Sequence, residues 1–251
     1  SSFATDEVFA YNGSSPGTAL NDGIQIATFV DAGAGGLDGP RGVAYSPSSA
    51  ASHDLYVASF NTDQVLRYNG ASGASVSVFA SGNGLDGPDG ITFGPDGHLY
   101  VASHNNDRVL RFNGSTGAFI DTFVAAGTGG LDGPRGIDFG SDGNLYVASE
   151  LSDQVLRYSG VSGAFFNVAV AAGQGGLDAP RGLAFGTNGN LYVASNNQDR
   201  VLEFDVDLVV FASAGLDGPT DMTYGVDGNL YVSDINHDRV LSFNGTTGAL
   251  I

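Results

Sequence analysis

A block of sequence recurs down the chain, and its period constrains the fold more than any other feature. With small variations, each copy contains Gly-Leu-Asp-Gly-Pro, then Leu-Tyr-Val-Ala-Ser, then a segment such as Asp-Gln-Val-Leu-Arg-Tyr. One tyrosine recurs at intervals of 44, 46, 46 and 39 residues, at Tyr56, Tyr100, Tyr146, Tyr192 and Tyr231. A fixed period in the forties indicates one supersecondary unit that stacks against copies of itself.

One copy, residues 131–170, shows what this unit contains. Apolar runs at 136–139, 145–148, 154–158 and 164–170 are predicted strands, and turn-forming Gly, Asp, Asn and Ser residues separate them. No segment has the 3.6-residue apolar period of a helix. Four short strands in meander order at this period predict an all-β chain, a β-propeller of four-stranded antiparallel blades. The chain has no Trp, which excludes the WD40 type.

The same residues carry a family resemblance. Pro-x-Gly-Ile-x-Phe-Gly, Asp-Gly-Asn-Leu-Tyr-Val-Ala-Ser and Asp-Arg-Val-Leu-x-Phe resemble the NHL-repeat β-propellers over nearly the whole chain. The resemblance implies the fold. It leaves several functions open, because such propellers include protein- and RNA-binding modules, extracellular sensor domains and a few enzymes, with streptogramin lyases and lactonases on similar propellers.

The repeats predict a single propeller domain over residues 1–251. Copies start near residues 36, 84, 130, 176 and 215, and residues 2–13 align with 59–70, so residues 1–35 are predicted to form a half blade. This favours a six-bladed type with about five and a half blades present. Three explanations stay open: a piece of a longer protein, a five-bladed ring, or a ring completed by another chain. Open strand edges would favour self-association.

Composition narrows the partners. The net charge is −18, and all nine basic residues are Arg. An acidic surface repels nucleic acid and anionic membranes, and no apolar run reaches the roughly 18 residues of a membrane span. With no Cys there is neither a disulfide nor a thiolate metal site. We expect an extracellular or cell-surface protein that requires no cofactor.

The repeats also act as an internal control, because a residue in every copy is most simply explained by blade construction. Two acidic rings could bind Ca²⁺, since carboxylates are ligands of hard cations. The preferred interpretation is that each Asp caps its own turn. The first ring comprises Asp38, Asp86, Asp132, Asp178 and Asp217, and the second Asp63, Asp107, Asp153, Asp199 and Asp238, with Asp6 in the half blade.

Residues that differ between copies are the candidates for a site. Connections between blades and between the second and third strands emerge on one face of a propeller. The candidates there for binding an anionic or sugar-like ligand, or a protein, are Arg41, Asp89, Arg135, Arg181, Phe60, His104, Glu150 and Asn196. Arg side chains bind carboxylates in a forked geometry. The alternative is that these arginines pair with nearby Asp residues.

A narrower hypothesis is a divalent metal ion held by Asp89, His104, Asp138 and Glu150, as in propeller lyases and lactonases. The other histidines weaken it: His98 is in a hairpin at the opposite end, His53 in an irregular insertion, and His237 is offset. The leading prediction is therefore a non-enzymatic binding or structural module. A metal-dependent lyase or lactonase and a subunit of an oligomer or filament remain the alternatives.

Overall fold

The chain is an all-β propeller in a computed structural model that describes residues 5–11, 25–47, 54–204 and 209–251. Every sheet is antiparallel, and the described residues contain no α-helix, only three-residue 3₁₀ turns. These turns occupy Ala34–Gly36, Phe60–Thr62, His104–Asn106, Thr128–Gly130, Glu150–Ser152, Gln174–Gly176, Asn196–Gln198 and Ile235–His237. The prediction of a propeller with four-stranded blades is confirmed.

The strands run in meander order within each blade, from an inner to an outer strand. A two-stranded sheet precedes the blades and consists of β1 (Val8–Tyr11) and β2 (Gln25–Val30). Blade 1 comprises β3 (Pro40–Tyr45), β4 (Leu55–Ser59), β5 (Gln64–Tyr68) and β6 (Ser75–Ser81). Blade 2 comprises β7 (Pro88–Phe93), β8 (Leu99–Ser103), β9 (Arg108–Phe112) and β10 (Phe119–Val124). Blade 3 comprises β11 (Pro134–Phe139), β12 (Leu145–Ser149), β13 (Gln154–Tyr158) and β14 (Phe165–Val170). Blade 4 comprises β15 (Pro180–Phe185), β16 (Leu191–Ser195), β17 (Arg200–Phe204) and β18 (Val209–Ala212). Blade 5 comprises β19 (Pro219–Tyr224), β20 (Leu230–Asp234) and β21 (Arg239–Phe243), with one further bridge between Phe243 and Leu250.

The blade count is thus five, which is that of the five-bladed alternative rather than of the six-bladed type. His53, which the sequence places in an irregular insertion, lies outside the described residues.

The hydrophobic core lies between neighbouring sheets. Each of five buried clusters combines residues of one sheet with residues of the next, and the first joins β1–β2 to blade 1. The second strand is fully buried in blades 1, 2 and 4 because sheets cover both its faces, which explains its nearly continuous apolar sequence. In blades 1, 2 and 4 its tyrosine packs edge-on against a Phe of the outer strand, as in the pair of Tyr56 and Phe79 with ring centroids 4.7 Å apart.

Glycine in the inner strands lets consecutive blades approach closely. A Cβ on Gly136 would stand 2.5 Å from the carbonyl oxygen of Arg181 on the next blade, and one on Gly90 would stand 2.3 Å from that of Arg135. In β19 the same position holds Asp221, which is exposed to solvent. The close packing that requires glycine therefore runs from β3 to β19 and is not repeated beyond β19 in the described structure.

The aspartates that precede the third strands fasten neighbouring blades together. They adopt positive φ, and in all but the last blade of the described structure the Oδ1 atom accepts a hydrogen bond from the backbone N–H of the following turn: Asp63 from Gly87 at 2.8 Å and Asp107 from Gly133 at 2.7 Å. Asp6, Asp153 and Asp199 do the same at 2.7–2.8 Å. These residues are structural, as expected, but the expectation that they cap their own turns is wrong, because each bond crosses to the next blade.

The other ring of aspartates also has a structural role, but its hydrogen-bond donors are side chains rather than backbone N–H groups. The Oδ1 atoms of Asp38 and Asp86 accept hydrogen bonds at 2.7 and 2.8 Å from asparagine amides that follow the second strand of the same blade. Asp178 and Asp217 repeat this contact at 2.9 and 2.7 Å. Here too the bond is made outside the residue's own turn.

Candidate functional site

The variable residues predicted from the sequence lie around one mouth of the central channel, where the blade geometry sets their positions. The residue after each second strand donates its backbone N–H to the turn before the inner strand of its own blade. For Glu150 the acceptor is the Gly133 carbonyl at 3.1 Å, and for His104 it is that of Gly87 at 3.1 Å. This backbone frame is common to all blades, so only the side chains distinguish one blade from another.

An ion-pair chain across three blades forms the centre of the mouth. Arg135 donates from Nη1 to Asp89 Oδ2 at 2.5 Å and from Nε to Glu150 Oε2 at 2.7 Å. Arg181 donates from Nε to Glu150 Oε1 at 2.7 Å. The Glu150 side chain is only 8% exposed and Arg135 only 12%, so solvent screens these pairs little. Arg135 and Arg181 therefore pair with acidic residues, but with Asp89 and Glu150 rather than with the ring of repeated aspartates that the alternative named.

The neighbouring charges in this ion-pair chain determine the pKa values of Glu150 and Arg135. Burial alone would raise the pKa of Glu150, but the charges and hydrogen bonds of Arg135 and Arg181 outweigh it and hold that pKa below its ordinary value. Burial likewise opposes the charge of Arg135, yet Asp89 and Glu150 keep its pKa raised. Glu150 and Arg135 are therefore both charged at neutral pH.

A second group at the mouth combines a cation with two rings. The guanidinium carbon of Arg41 lies 4.9 Å from the centroid of the Phe60 ring, and the Phe60 and His104 rings are 6.1 Å apart. His104 Nδ1 lies 3.3 Å from the Pro134 carbonyl oxygen. Burial and then the charge of Arg135 lower the pKa of His104, so its imidazole is neutral at pH 7. Burial lowers the pKa of Arg41, and repulsion by the positive charges of Arg135 and Arg181 lowers it further, which shows that these guanidinium groups lie close to Arg41.

Asn196 continues the ring on blade 4. Its side-chain amide donates to the carbonyl oxygen of Pro219 on the next blade at 3.1 Å. Like His104 and Glu150, it reaches across a blade boundary. The structure therefore brings the eight candidate binding residues to one mouth.

Asp138 does not join His104 and Glu150. It follows Arg135 by three residues along β11, and its carboxylate accepts a hydrogen bond from the N–H of Phe139 at 2.8 Å. Burial raises its pKa, against hydrogen bonds from Phe139, Phe185 and Thr92. In the described part of the chain no three His, Asp or Glu side chains have the arrangement of a metal site. The ligands of the metal hypothesis are engaged separately, Asp89 and Glu150 by arginines and His104 with a backbone carbonyl.

The structure adds two features that the sequence reading passed over. Asp221 lies among channel carboxylates, where solvent reaches it although protein surrounds it on most sides. This partial loss of solvation, with the charges of Asp89 and Asp138, raises its pKa to about 6. Asp234 replaces a serine of the other blades, is 1% exposed, and accepts hydrogen bonds from Arg239 at 2.9 Å and from the backbone of Asp217 at 3.3 Å. Both break the repeat, so comparison of the copies at these two slots could have found them.

No helix in the described structure is long and apolar enough to cross a membrane. No protein-family model and no curated protein matches the sequence.

Solved structures do resemble the fold. A nidogen in a nidogen–laminin complex matches with a TM-score of 0.70 and 19% identity, over 90% of this chain and 82% of that one. A gluconolactonase from Xanthomonas campestris matches at 0.66 and 20%, over 84% and 74%. The virginiamycin B lyase from Staphylococcus aureus matches at 0.62 and 14%, over 84% and 68%. At these identities the likeness shows the fold, a β-propeller, which lyases, lactonases and a protein in a complex with laminin share.

Proposed function

We propose that this chain is a non-enzymatic binding module of the NHL-like type, located outside the cell or at its surface. Its ligand binds at the channel mouth formed by Arg41, Arg135, Arg181, Phe60 and His104. The ligand carries a carboxylate, either on a sugar acid or on an acidic side chain of a protein partner.

One observation carries this proposal: three of the nine arginines, from three different blades, gather at one mouth of a protein with a net charge of −18. Asp89 and Glu150 pair with Arg135 and Arg181, and the neighbouring His104 is neutral. An incoming carboxylate would relieve the repulsion among the guanidinium groups. The Arg41–Phe60 stack adds a flat surface suited to a sugar ring.

The engaged state of the acidic groups supports binding rather than catalysis. Arg135 pairs with Asp89, and Arg135 and Arg181 hold the pKa of Glu150 below its ordinary value, whereas a general acid or base at neutral pH needs a pKa near 7. The fold resembles that of nidogen, whose solved structure is a complex with laminin. This likeness supports a protein partner, which would present a carboxylate on an acidic side chain.

Calorimetry with glucuronate, and with glucose as the neutral match, tests the proposal. We expect glucuronate to bind and glucose to bind at least tenfold more weakly. Arg41→Gln should lower the glucuronate affinity about tenfold, the effect of losing one charged hydrogen bond or stack. Arg200→Gln is the matched control, because Arg200 bonds only to Gln198 among its described contacts.

Equal losses in the two variants would show a general charge effect and contradict a site at the mouth. Absence of glucuronate binding at millimolar concentration would contradict the sugar-acid ligand. Conversion of glucuronate or a lactone during the titration would contradict the non-enzymatic reading.

A further inference from the structure

A cavity of about 310 Å³ lies between blades 3 and 4, away from the channel mouth. Tyr146, Arg157, Asn167 and Ala169 line it from blade 3, and Phe185 and Phe204 from blade 4. It is independent of the site proposed above. Comparison of the repeats explains why a cavity forms at this blade boundary.

Ala169 stands where other outer strands carry phenylalanine. Phe79, Phe123 and Phe211 each pack edge-on against the tyrosine of their own blade, with centroids 4.7–4.9 Å apart. Tyr146 of blade 3 has no such partner at residue 169. Among the described residues its ring contacts Phe185 of the next blade at 5.0 Å and the guanidinium of Arg157 at 5.6 Å. The cavity therefore occupies the position of a missing aromatic ring.

The facing blade is altered as well. Elsewhere a glycine after the third strand packs against the carbonyl of that phenylalanine, so that a Cβ on Gly163 would lie 1.8 Å from the oxygen of Phe123. Blade 4 has eight residues from Phe204 to Phe211, where blade 2 has twelve from Phe112 to Phe123, and no glycine stands between Phe204 and Phe211. Both halves of the usual contact are thus replaced at the same boundary.

A third difference is that blade 3 lacks a carboxylate that blade 2 has. In blade 2, Asp121 accepts hydrogen bonds from Arg111 Nε at 3.1 Å and Nη2 at 2.5 Å. Asn167 takes the place of Asp121 opposite Arg157 in blade 3. Arg157 Nη2 bonds instead to Asp142, and its buried Nε has no hydrogen-bond partner among the described residues. A buried donor without an acceptor is rare in folded proteins.

We propose that this cavity binds a small aromatic carboxylate of the phenylacetate type. The ring takes the position that Phe123 has in blade 2, against Tyr146 and beside the guanidinium of Arg157, as Arg111 lies 5.1 Å from the Phe123 ring. The Phe166 ring, 4.5 Å from the guanidinium carbon of Arg157, is a second aromatic neighbour of that guanidinium. The carboxylate takes the position of Asp121 and accepts from Arg157 Nε. Blade 2 thus holds, covalently, the two groups that blade 3 would take from a ligand.

Titration of the protein with phenylacetate and with benzyl alcohol, followed by NMR, tests this site. We expect the cavity to bind phenylacetate, a small ligand, with a Kd on the order of 1 mM. Ala169→Phe restores the ring of the other blades and should weaken both ligands at least tenfold, while circular dichroism confirms the fold. Asn167→Asp restores the carboxylate and should weaken phenylacetate at least fivefold with benzyl alcohol unchanged.

Phe123→Ala is the matched control, because it opens ring space beside Tyr100 but keeps Asp121. It should gain benzyl alcohol binding without gaining phenylacetate binding. Phenylacetate binding that survives Ala169→Phe, or that is absent from the unaltered protein at 10 times the expected Kd (on the order of 10 mM), would overturn the proposal. Equal weakening of both ligands by Asn167→Asp would overturn the role of Arg157.

Discussion

Two sets of carboxylates in this propeller differ in their partners. The repeated aspartates before the third strands accept hydrogen bonds from backbone N–H groups of the next blade. The unrepeated carboxylates at the channel mouth, Asp89 and Glu150, pair with arginine side chains. A backbone donor exists in every blade whatever its sequence, so the first set can repeat. A side-chain donor must be encoded blade by blade, so the second set marks where this chain departs from its own scaffold.

Replacement of Glu150 should have the largest effect. Glu150→Gln leaves Arg135 and Arg181 without their shared carboxylate, and breaking a buried ion pair from one side costs about 3 kcal/mol. Urea unfolding at pH 7 measures the loss. Because the folded pKa is lowered, the stabilisation by Glu150 is present above its ordinary pKa of 4.5 and is lost as the pH falls through the folded value. The variant should therefore match the unaltered protein more closely at pH 3 than at pH 7.

The repeated set should show a smaller effect that depends on the blade. Asp107→Ala removes the bond to Gly133 and places alanine at φ 59°, which together should cost about 2 kcal/mol. Asp238 has the same conformation, with φ 50°, but no partner in a following blade in the described structure. Asp238→Ala should therefore cost less than half as much. Equal losses in thermal unfolding would show that local strain, not the bond between blades, is what the aspartates relieve.

Asp221 should show the opposite pH dependence from Glu150. Its folded pKa, about 6, is above its ordinary value of 3.8, so the folded state binds the proton more tightly. Stability from this group is then present at low pH and is lost as the pH rises from about 4 to 6. Asp221→Asn should raise the melting temperature at pH 7 by a few degrees at most, since solvent reaches this residue, and leave it unchanged at pH 4. A lower melting temperature at pH 7 would contradict this assignment.

Divalent cations should give the smallest effect. The ring aspartates bond to backbone or asparagine N–H groups, and arginines hold the mouth carboxylates. We therefore expect calorimetry with Ca²⁺, Mg²⁺ and Zn²⁺ to detect only weak binding at many places. One tight site that His104→Ala abolishes would restore the metal hypothesis. The control is His98→Ala, in the hairpin at the opposite end.

The sequence predicted the architecture well because blade construction is local and repeated. The strand bounds of blade 3, the turn glycines and the buried Leu-Tyr-Val-Ala-Ser strand all follow from short patterns. The grouping of Arg41, Arg135 and Arg181 at one mouth also followed, since equivalent slots of a ring share a face. The bonding of the aspartates did not follow, because their donors are about 20 residues or more away along the chain.

By itself, then, the sequence determined the blade, its period and the slots at which the copies disagree, since strand alternation and turn chemistry are properties of neighbouring residues. Only the tertiary structure decided which of these slots interact. It paired Glu150 with arginines of two blades, separated Asp138 from His104, and joined Ala169 and Asn167 of blade 3 with Phe204 of blade 4 at one cavity. The physical reason is that these contacts form between blades, across distances that local sequence patterns do not encode.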